Sequence, residues 1–122
     1  MNIKKKSPYK FKFEWLFFHI FSSTLNFIKL KSLKFLCLSR TPNQISLKLQ
    51  DGTLGSPWIT QSEIIKPLVL DQWQEVTFNF ETDSYINLDG SSPPPIQRTD
   101  FNRVVIQVNG ENNNDFVTAY LD

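Results

Sequence analysis

Cysteine and histidine are scarce in this sequence, with one of each among 122 residues, and their scarcity excludes much of enzyme chemistry. A single cysteine, Cys37, cannot form an internal disulfide. One Cys and one His cannot supply the usual ligand set of a zinc site. A Ser-His-Asp or Cys-His catalytic site would have to use His19, whose Trp and Phe neighbours favour a packed aromatic cluster instead.

Glycine is also scarce, with four in the chain, and neither a P-loop nor a dinucleotide-binding fingerprint occurs. The acidic pairs Asp71 with Glu75 and Glu81 with Asp83 have the residue types of a glycosidase site. Each pair lies at a predicted strand end or in a turn, however, where acidic residues ordinarily face solvent. We therefore expect no catalytic residues and a protein that is not an enzyme.

Charge divides the chain into two parts of opposite sign. Residues 1–40 contain eight Lys, one Arg and one Glu, whereas residues 41–122 contain four basic and 11 acidic residues. A basic arm of this kind can serve nucleic acid or anionic lipid. Its Lys residues are spread among Phe and Leu, and it has no RNA-binding or helix-turn-helix signature. We therefore expect no nucleic-acid partner.

The basic segment, residues 1–43, lacks a long apolar run and a clean signal peptide. His19 interrupts the run from Trp15 to Phe21, no small-x-small cleavage pattern follows it, and the ~20 apolar residues of a membrane span are absent. Three interpretations stay open: a helix or pair of strands packed on the rest, a membrane-surface anchor, or an artefact of translation upstream of the true start or across a frame break in an AT-rich gene. We predict no membrane contact and no strand from residues 1 to about 42 in the core.

The remaining residues, 44–122, have the pattern of antiparallel strands separated by turns. Apolar and polar residues alternate with period two in several runs, and no amphipathic helix lies between any successive pair. The turn at Asp51-Gly52 and a surface loop over 81–100, which contains Pro93 to Pro95, separate the runs. The predicted strands are Ile45–Leu49, Trp58–Ile65, Trp73–Phe80, Arg103–Asn109 and Phe116–Asp122.

Three stretches carry a resemblance to a known family: Leu47–Gly52, Gln72–Phe80, and Phe101–Asn109 running on to Thr118–Asp122. In their order and spacing they resemble the galactose-binding-like jelly rolls that serve as carbohydrate-binding modules of secreted polysaccharide-degrading and surface proteins. The resemblance covers residues 44–122 and implies an all-β fold, an antiparallel β-sandwich. A complete jelly roll has about eight strands and five are legible, so we predict an incomplete module preceded by a non-homologous segment, residues 1–43.

The resemblance implies a non-catalytic protein that holds an attached enzyme or a cell surface on a polysaccharide, outside the cell. The alternatives are a structural or protein-docking sandwich without sugar binding, and a fragment of a larger glycan-active enzyme. No cofactor is expected. Related modules often hold a structural calcium near the end of the last strand, where Asp122 matches the closing aspartate. The other oxygen ligands would come mostly from the opening strands of such a module, which residues 1–43 do not resemble. Whether this chain binds a metal therefore stays open.

Strand alternation predicts the site as well as the core. If Val76, Phe78 and Phe80 face inward, the opposite face carries polar residues. An aromatic ring with amides and hydroxyls suits a sugar, although any solvated sheet face displays similar types. The predicted ligand-binding residues on this face are Tyr120, Gln107, Asn79 and Thr77. We also predict that Trp58, at a loop-to-strand corner, stacks on sugar, and that Trp73 is structural and largely buried.

Overall fold

In a computed structural model, the described residues of this chain form an all-β protein. The description covers the backbone of residues 15–19, 33–37, 44–110 and 119–121, and the side chains of residues 44–110. The strands are β1 Trp15–His19, β2 Leu33–Cys37, β3 Gln44–Gln50, β4 Ser62–Pro67, β5 Gln74–Val76, β6 Ile86–Asn87, β7 Arg103–Val108 and β8 Ala119–Leu121. Short 3-10 turns cover Pro57–Thr60 and Pro95–Gln97. Every strand pairing is antiparallel, as the sequence predicts.

The strands form two sheets. The larger has five strands in the order β1-β7-β3-β4-β6, and the smaller has three in the order β5-β2-β8. In the larger sheet Leu47 of β3 lies opposite Ile64 of β4 and Ile106 of β7. Directly opposite residues of antiparallel strands share a face, so these three side chains form one apolar row across the sheet centre.

The core lies on that apolar face of the five-stranded sheet. Alternate residues of β3 and β7 point into it, and the aromatic side chains that follow β5 pack against them. Its buried members are Ile45, Leu47, Leu49, Ile64, Leu68, Val76, Phe78, Phe80, Phe101, Val104, Ile106 and Val108. Burying each such side chain fully stabilises the fold by about 1.5–3 kcal/mol. The predicted inward positions at residues 76, 78, 80, 104, 106 and 108 are confirmed.

The prediction that residues 1 to about 42 contribute no strand is wrong. Strand β1 pairs with β7 over five residues, and β2 lies between β5 and β8 at the centre of the smaller sheet. The prediction followed charge and composition, whereas strand pairing uses backbone groups that every residue type except proline provides in full. The interpretation of this segment as a pair of strands is the one that the structure supports.

Two predicted strands are shorter than expected. The run predicted from Trp58 begins as a 3-10 turn, and β4 starts only at Ser62. Of the run from Trp73 to Phe80, the strand keeps only Gln74–Val76. Trp73 itself is 51% exposed, which contradicts the prediction that it is largely buried. Alternating burial continues through Phe80 without strand pairing, because packing against a core sets the period as strongly as a ladder does.

The sequence predicts that the face of the five-stranded sheet opposite the core is solvated, and this prediction is wrong. Val105, Gln107 and Asn109 of β7 and its end are buried, and so are Ser46, Lys48 and Gln50 of β3. Both faces of the two central strands are therefore covered. Alternation reports which residues share a face, but it does not report whether the second face is open.

Candidate functional site

The four residues predicted to share a sugar-binding face do not lie on one face. Gln107 belongs to β7 in the larger sheet and Tyr120 to β8 in the smaller one. Thr77 and Asn79 lie in the irregular segment after β5, where Thr77 is exposed and Asn79 half-buried. The Gln107 side chain is only 2% exposed, and the Tyr120 side chain lies outside the described residues. The predicted common face is wrong, because alternation relates residues only within one sheet.

A different set of residues comes together at one end of the five-stranded sheet. There β3 ends at Gln50, β4 begins at Ser62, β6 ends at Asn87 and β7 begins at Arg103. The register places Ser62 opposite Asn87, and Gln50 opposite Arg103. The loops 51–61 and 88–102 therefore leave the sheet together, and we call these two loops the loop end.

Apolar side chains concentrate in solvent at the loop end. Five of the ten exposed large hydrophobic residues in the described part of the chain lie there, although these loops form a minority of it. They are Leu54, Trp58, Ile59, Leu88 and Ile96. Trp58 is the only aromatic among them and is 56% exposed. Scattered exposed apolar residues are ordinary, whereas a concentration of them marks a contact surface.

Hydrogen bonds hold the backbone on both sides of Trp58. Pro57 is buried and opens the 3-10 turn that carries the indole. The Thr60 hydroxyl donates to Pro57 O at 2.7 Å and accepts from Asp51 N–H at 2.8 Å. The Gln61 N–H closes the turn on Trp58 O at 3.1 Å. These bonds join the first residue of the loop to its last turn and fix the position from which the indole projects.

The Asp51 carboxylate organises the first half of the same loop. Its Oδ1 accepts from the Thr53 N–H at 2.9 Å and from the Thr53 hydroxyl at 2.5 Å. Asn102, from the second loop, donates to that oxygen at 3.3 Å, while its Oδ1 accepts from Gly52 N–H at 2.7 Å. The Thr53 hydroxyl contributes most to lowering the pKa of Asp51 below its usual 3.8, and partial burial opposes it. Asn102 thereby ties the two loops together.

Beneath the loops, buried amides join the strand ends. Gln50 Nε2 donates to Gln61 Oε1 at 2.9 Å, and the Gln61 carbonyl accepts from Leu88 N–H at 2.9 Å. The Asn87 amide accepts from the Ser62 hydroxyl at 2.5 Å and donates to Ser92 O at 3.2 Å. This network connects both loops to the ends of the strands from the sheet side.

Arg98 anchors the second loop. Its guanidinium donates to both carboxylate oxygens of Asp100, at 3.0 and 2.6 Å, and to the Ser62 hydroxyl at 3.3 Å. It also lies over the Phe101 ring, 4.1 Å from the centroid. Arg98 is 8% exposed. These contacts engage all three nitrogens of the guanidinium, so the side chain serves the fold.

Asp83, a member of the acidic pair Glu81 with Asp83, makes a hydrogen bond and an ion pair within the fold. Asp83 accepts from Asn79 N–H at 2.9 Å and lies 3.0 Å from Lys66 Nζ. Burial raises the pKa of Asp83, but the Asn79 N–H and the Lys66 ammonium outweigh it and hold that pKa below 3.8.

Within the described residues, no group of three or more His, Cys, Asp or Glu is arranged to hold a metal ion. No helix found in the described part is long and apolar enough to cross a membrane.

The sequence predicts Trp58 as a sugar-stacking residue, and the structure places that residue exposed at the loop end, while its binding role stays a prediction. The sequence predicts the turn at Asp51-Gly52, whereas Thr60 and Asn102 give no signal, because they lie 9 and 51 residues from Asp51 and belong to no local motif with it. Comparison with known proteins finds no matching family, no matching curated protein and no matching solved structure.

Proposed function

We propose that this chain is a non-catalytic carbohydrate-binding domain that uses Trp58 at the loop end, without a cofactor. The observation that carries the proposal is an indole more than half exposed on a loop that hydrogen bonds hold in place. The proposal includes the finer fold that the sequence resemblance implies, a jelly-roll sandwich, and a place outside the cell or on its surface. The protein would hold an attached enzyme or a cell surface on polysaccharide.

An exposed indole suits the apolar face of a sugar ring. The C–H groups of a pyranose can lie on the flat π-face, and the large rigid ring loses little conformational entropy on binding. A loop already fixed by Thr60 and Asp51 adds no ordering cost. Polar groups of the same loop, Ser56 and the Thr53 hydroxyl, can bond sugar hydroxyls at the edge of the ring. The loop end thus offers a platform and a polar border.

Trp73 provides a matched control, because it is an equally exposed tryptophan outside the loop end. Retention of the full chain in gels that contain neutral polysaccharides is compared for the wild type, Trp58→Ala and Trp73→Ala. We expect Trp58→Ala to lose at least about tenfold in affinity, which corresponds to about 1.4 kcal/mol, and Trp73→Ala to bind as the wild type does. Thermal unfolding checks that both variants are folded. Wild-type retention by a folded Trp58→Ala variant contradicts the proposal.

A second candidate, a protein-docking or structural domain without sugar binding, is supported by strand β6. This two-residue strand ends the five-stranded sheet and carries Ile86 in solvent, with exposed Leu88 following it. Unpaired edges and apolar side chains attract other chains. Under this alternative no polysaccharide retards the wild type, and Ile86→Lys abolishes self-association in sedimentation experiments. A catalytic domain in the neighbouring reading frame would support the remaining alternative, a part of a larger glycan-active enzyme.

A further inference from the structure

Resting on the proposed function, we infer that the loop-end site selects neutral polysaccharides over carboxylated or sulfated ones. A site for anionic sugars needs cationic side chains that can reach the ligand, because carboxylate and sulfate groups are recognised by Arg forks and Lys ammonium groups. Among the described side chains, carboxylates outnumber cations, and the cations already interact with other groups of the protein.

Residues 44–110 contain four cationic and eight acidic side chains. Lys48 is fully buried with its Nζ 3.5 Å from Glu63, Lys66 lies 3.0 Å from Asp83, and Arg98 lies 2.6 Å from Asp100. Arg103 is half-buried and also has an interaction partner. An anionic sugar would have to compete for these cations with carboxylates or other groups that the fold already pairs with them.

The charges of the loop end itself point the same way. The two loops carry three carboxylates, Asp51, Asp89 and Asp100, against one cation, Arg98. Asp89 is exposed, and its Oδ1 accepts only local bonds from the Ser91 N–H and hydroxyl. Like charges repel over distances up to the screening length, about 8 Å at physiological ionic strength. With Asp100 paired to Arg98, the two loops present a net negative charge to a polyanion bound at the loop end.

Residues 1–40, with eight Lys and one Arg, complicate the test, because a basic segment attracts any polyanion without using Trp58. Such attraction weakens steeply with salt. Dependence on Trp58 therefore separates binding at the loop end from attraction to the basic segment, and the full chain can be used throughout.

The experiment compares a neutral polysaccharide that retains the wild type with its sulfated derivative, using the full chain and Trp58→Ala. On the neutral polymer we expect retention that Trp58→Ala loses and that salt leaves unchanged. On the sulfated polymer we expect Trp58-dependent affinity at least about tenfold weaker, with any other retention lost at high salt. Trp58-dependent retention on the sulfated polymer equal to that on the neutral one overturns this inference alone. Loss of Trp58 dependence on every polymer overturns the proposed function as well.

The variant Asp89→Asn tests the electrostatic cause. Asparagine keeps the oxygen that accepts from Ser91 and removes one exposed negative charge. We expect Asp89→Asn to reduce the discrimination between the neutral and the sulfated polymer by about two- to fivefold at low salt, where exposed charges act most strongly. Affinity for the neutral polymer stays the same. Unchanged discrimination in a folded Asp89→Asn protein contradicts the inference.

Discussion

At the residue scale, aromatic side chains in this chain divide into core and surface groups. Phe78 is 1% exposed and packs in the core, whereas Trp73, five residues earlier, projects into solvent. We expect Phe78→Ala to lower the free energy of unfolding by about 3–5 kcal/mol, because it leaves a cavity. Trp73→Ala leaves none, and we expect a change within about 1 kcal/mol. Urea unfolding measures both, and equal losses would contradict the assignment.

Arg98 is a buried charged residue whose guanidinium contacts three other side chains. Removing it leaves the Asp100 carboxylate without its two bonds from the guanidinium and the Phe101 ring without its cation, while the Ser62 hydroxyl keeps its bond to Asn87. Asp100 is partly exposed, so water offsets some of the loss, and we expect Arg98→Met to cost on the order of 2 kcal/mol.

A double-mutant cycle with Asp100→Asn measures the pair directly. If the bidentate pair causes the loss, the two substitutions are far from additive, since each removes the same interaction. Additive losses in chemical unfolding would show that Arg98 acts through its contacts with Ser62 and Phe101 and not through Asp100.

At the element scale, strand β7 ends in an unusual backbone conformation. Asn109 and Gly110 have φ of 72° and 76°, and Asn109 N–H donates to Gln44 O at 2.7 Å where β3 begins. A Cβ on Gly110 would lie 2.5 Å from Gln44 Nε2. Left-handed backbone costs a residue other than glycine about 1–2 kcal/mol, and the Gln44 side chain would also have to move. We expect Gly110→Ala to destabilise the protein by at least that amount.

Gly90 is the matched control for this element. A Cβ there meets no atom within 4 Å, and its φ is outside the left-handed range. We expect Gly90→Ala to change the free energy of unfolding by no more than about 0.5 kcal/mol. Thermal unfolding compares the melting temperatures of Gly110→Ala and Gly90→Ala. Similar melting temperatures would mean that the end of β7 tolerates a side chain.

At the scale of the whole molecule, the basic segment belongs to the fold. Residues 1–43 provide β1, which covers the edge of β7, and β2, which joins β5 to β8. A protein of residues 44–122 would lose the central strand of the smaller sheet and expose unpaired edges that invite aggregation. We expect this truncated protein to lack a cooperative unfolding transition and to aggregate. If the truncated protein instead unfolds cooperatively in urea, with the same m-value as the full chain, the basic segment is dispensable.

The sequence by itself determined what local periodicity encodes. Alternation placed Val76, Phe78 and Phe80 in the core and identified β3 and β7, because burial on a pleated strand repeats every second residue. The position of Trp58 at a loop-to-strand corner predicted a stacking residue, and the structure leaves its indole exposed. Its role in sugar binding stays a prediction.

Only the tertiary structure decided which segments meet. The pairing of β2 with β5 and β8, the burial of Gln107 and the exposure of Trp73 all depend on residues distant along the chain. The contacts of Asp51 with Thr60 and Asn102, which fix the loop end, are of the same kind. An alternation with period two shows which side chains of a strand share a face. Backbone hydrogen bonds and packing decide which element covers that face or pairs with its edge, and neither produces a periodic pattern in the sequence.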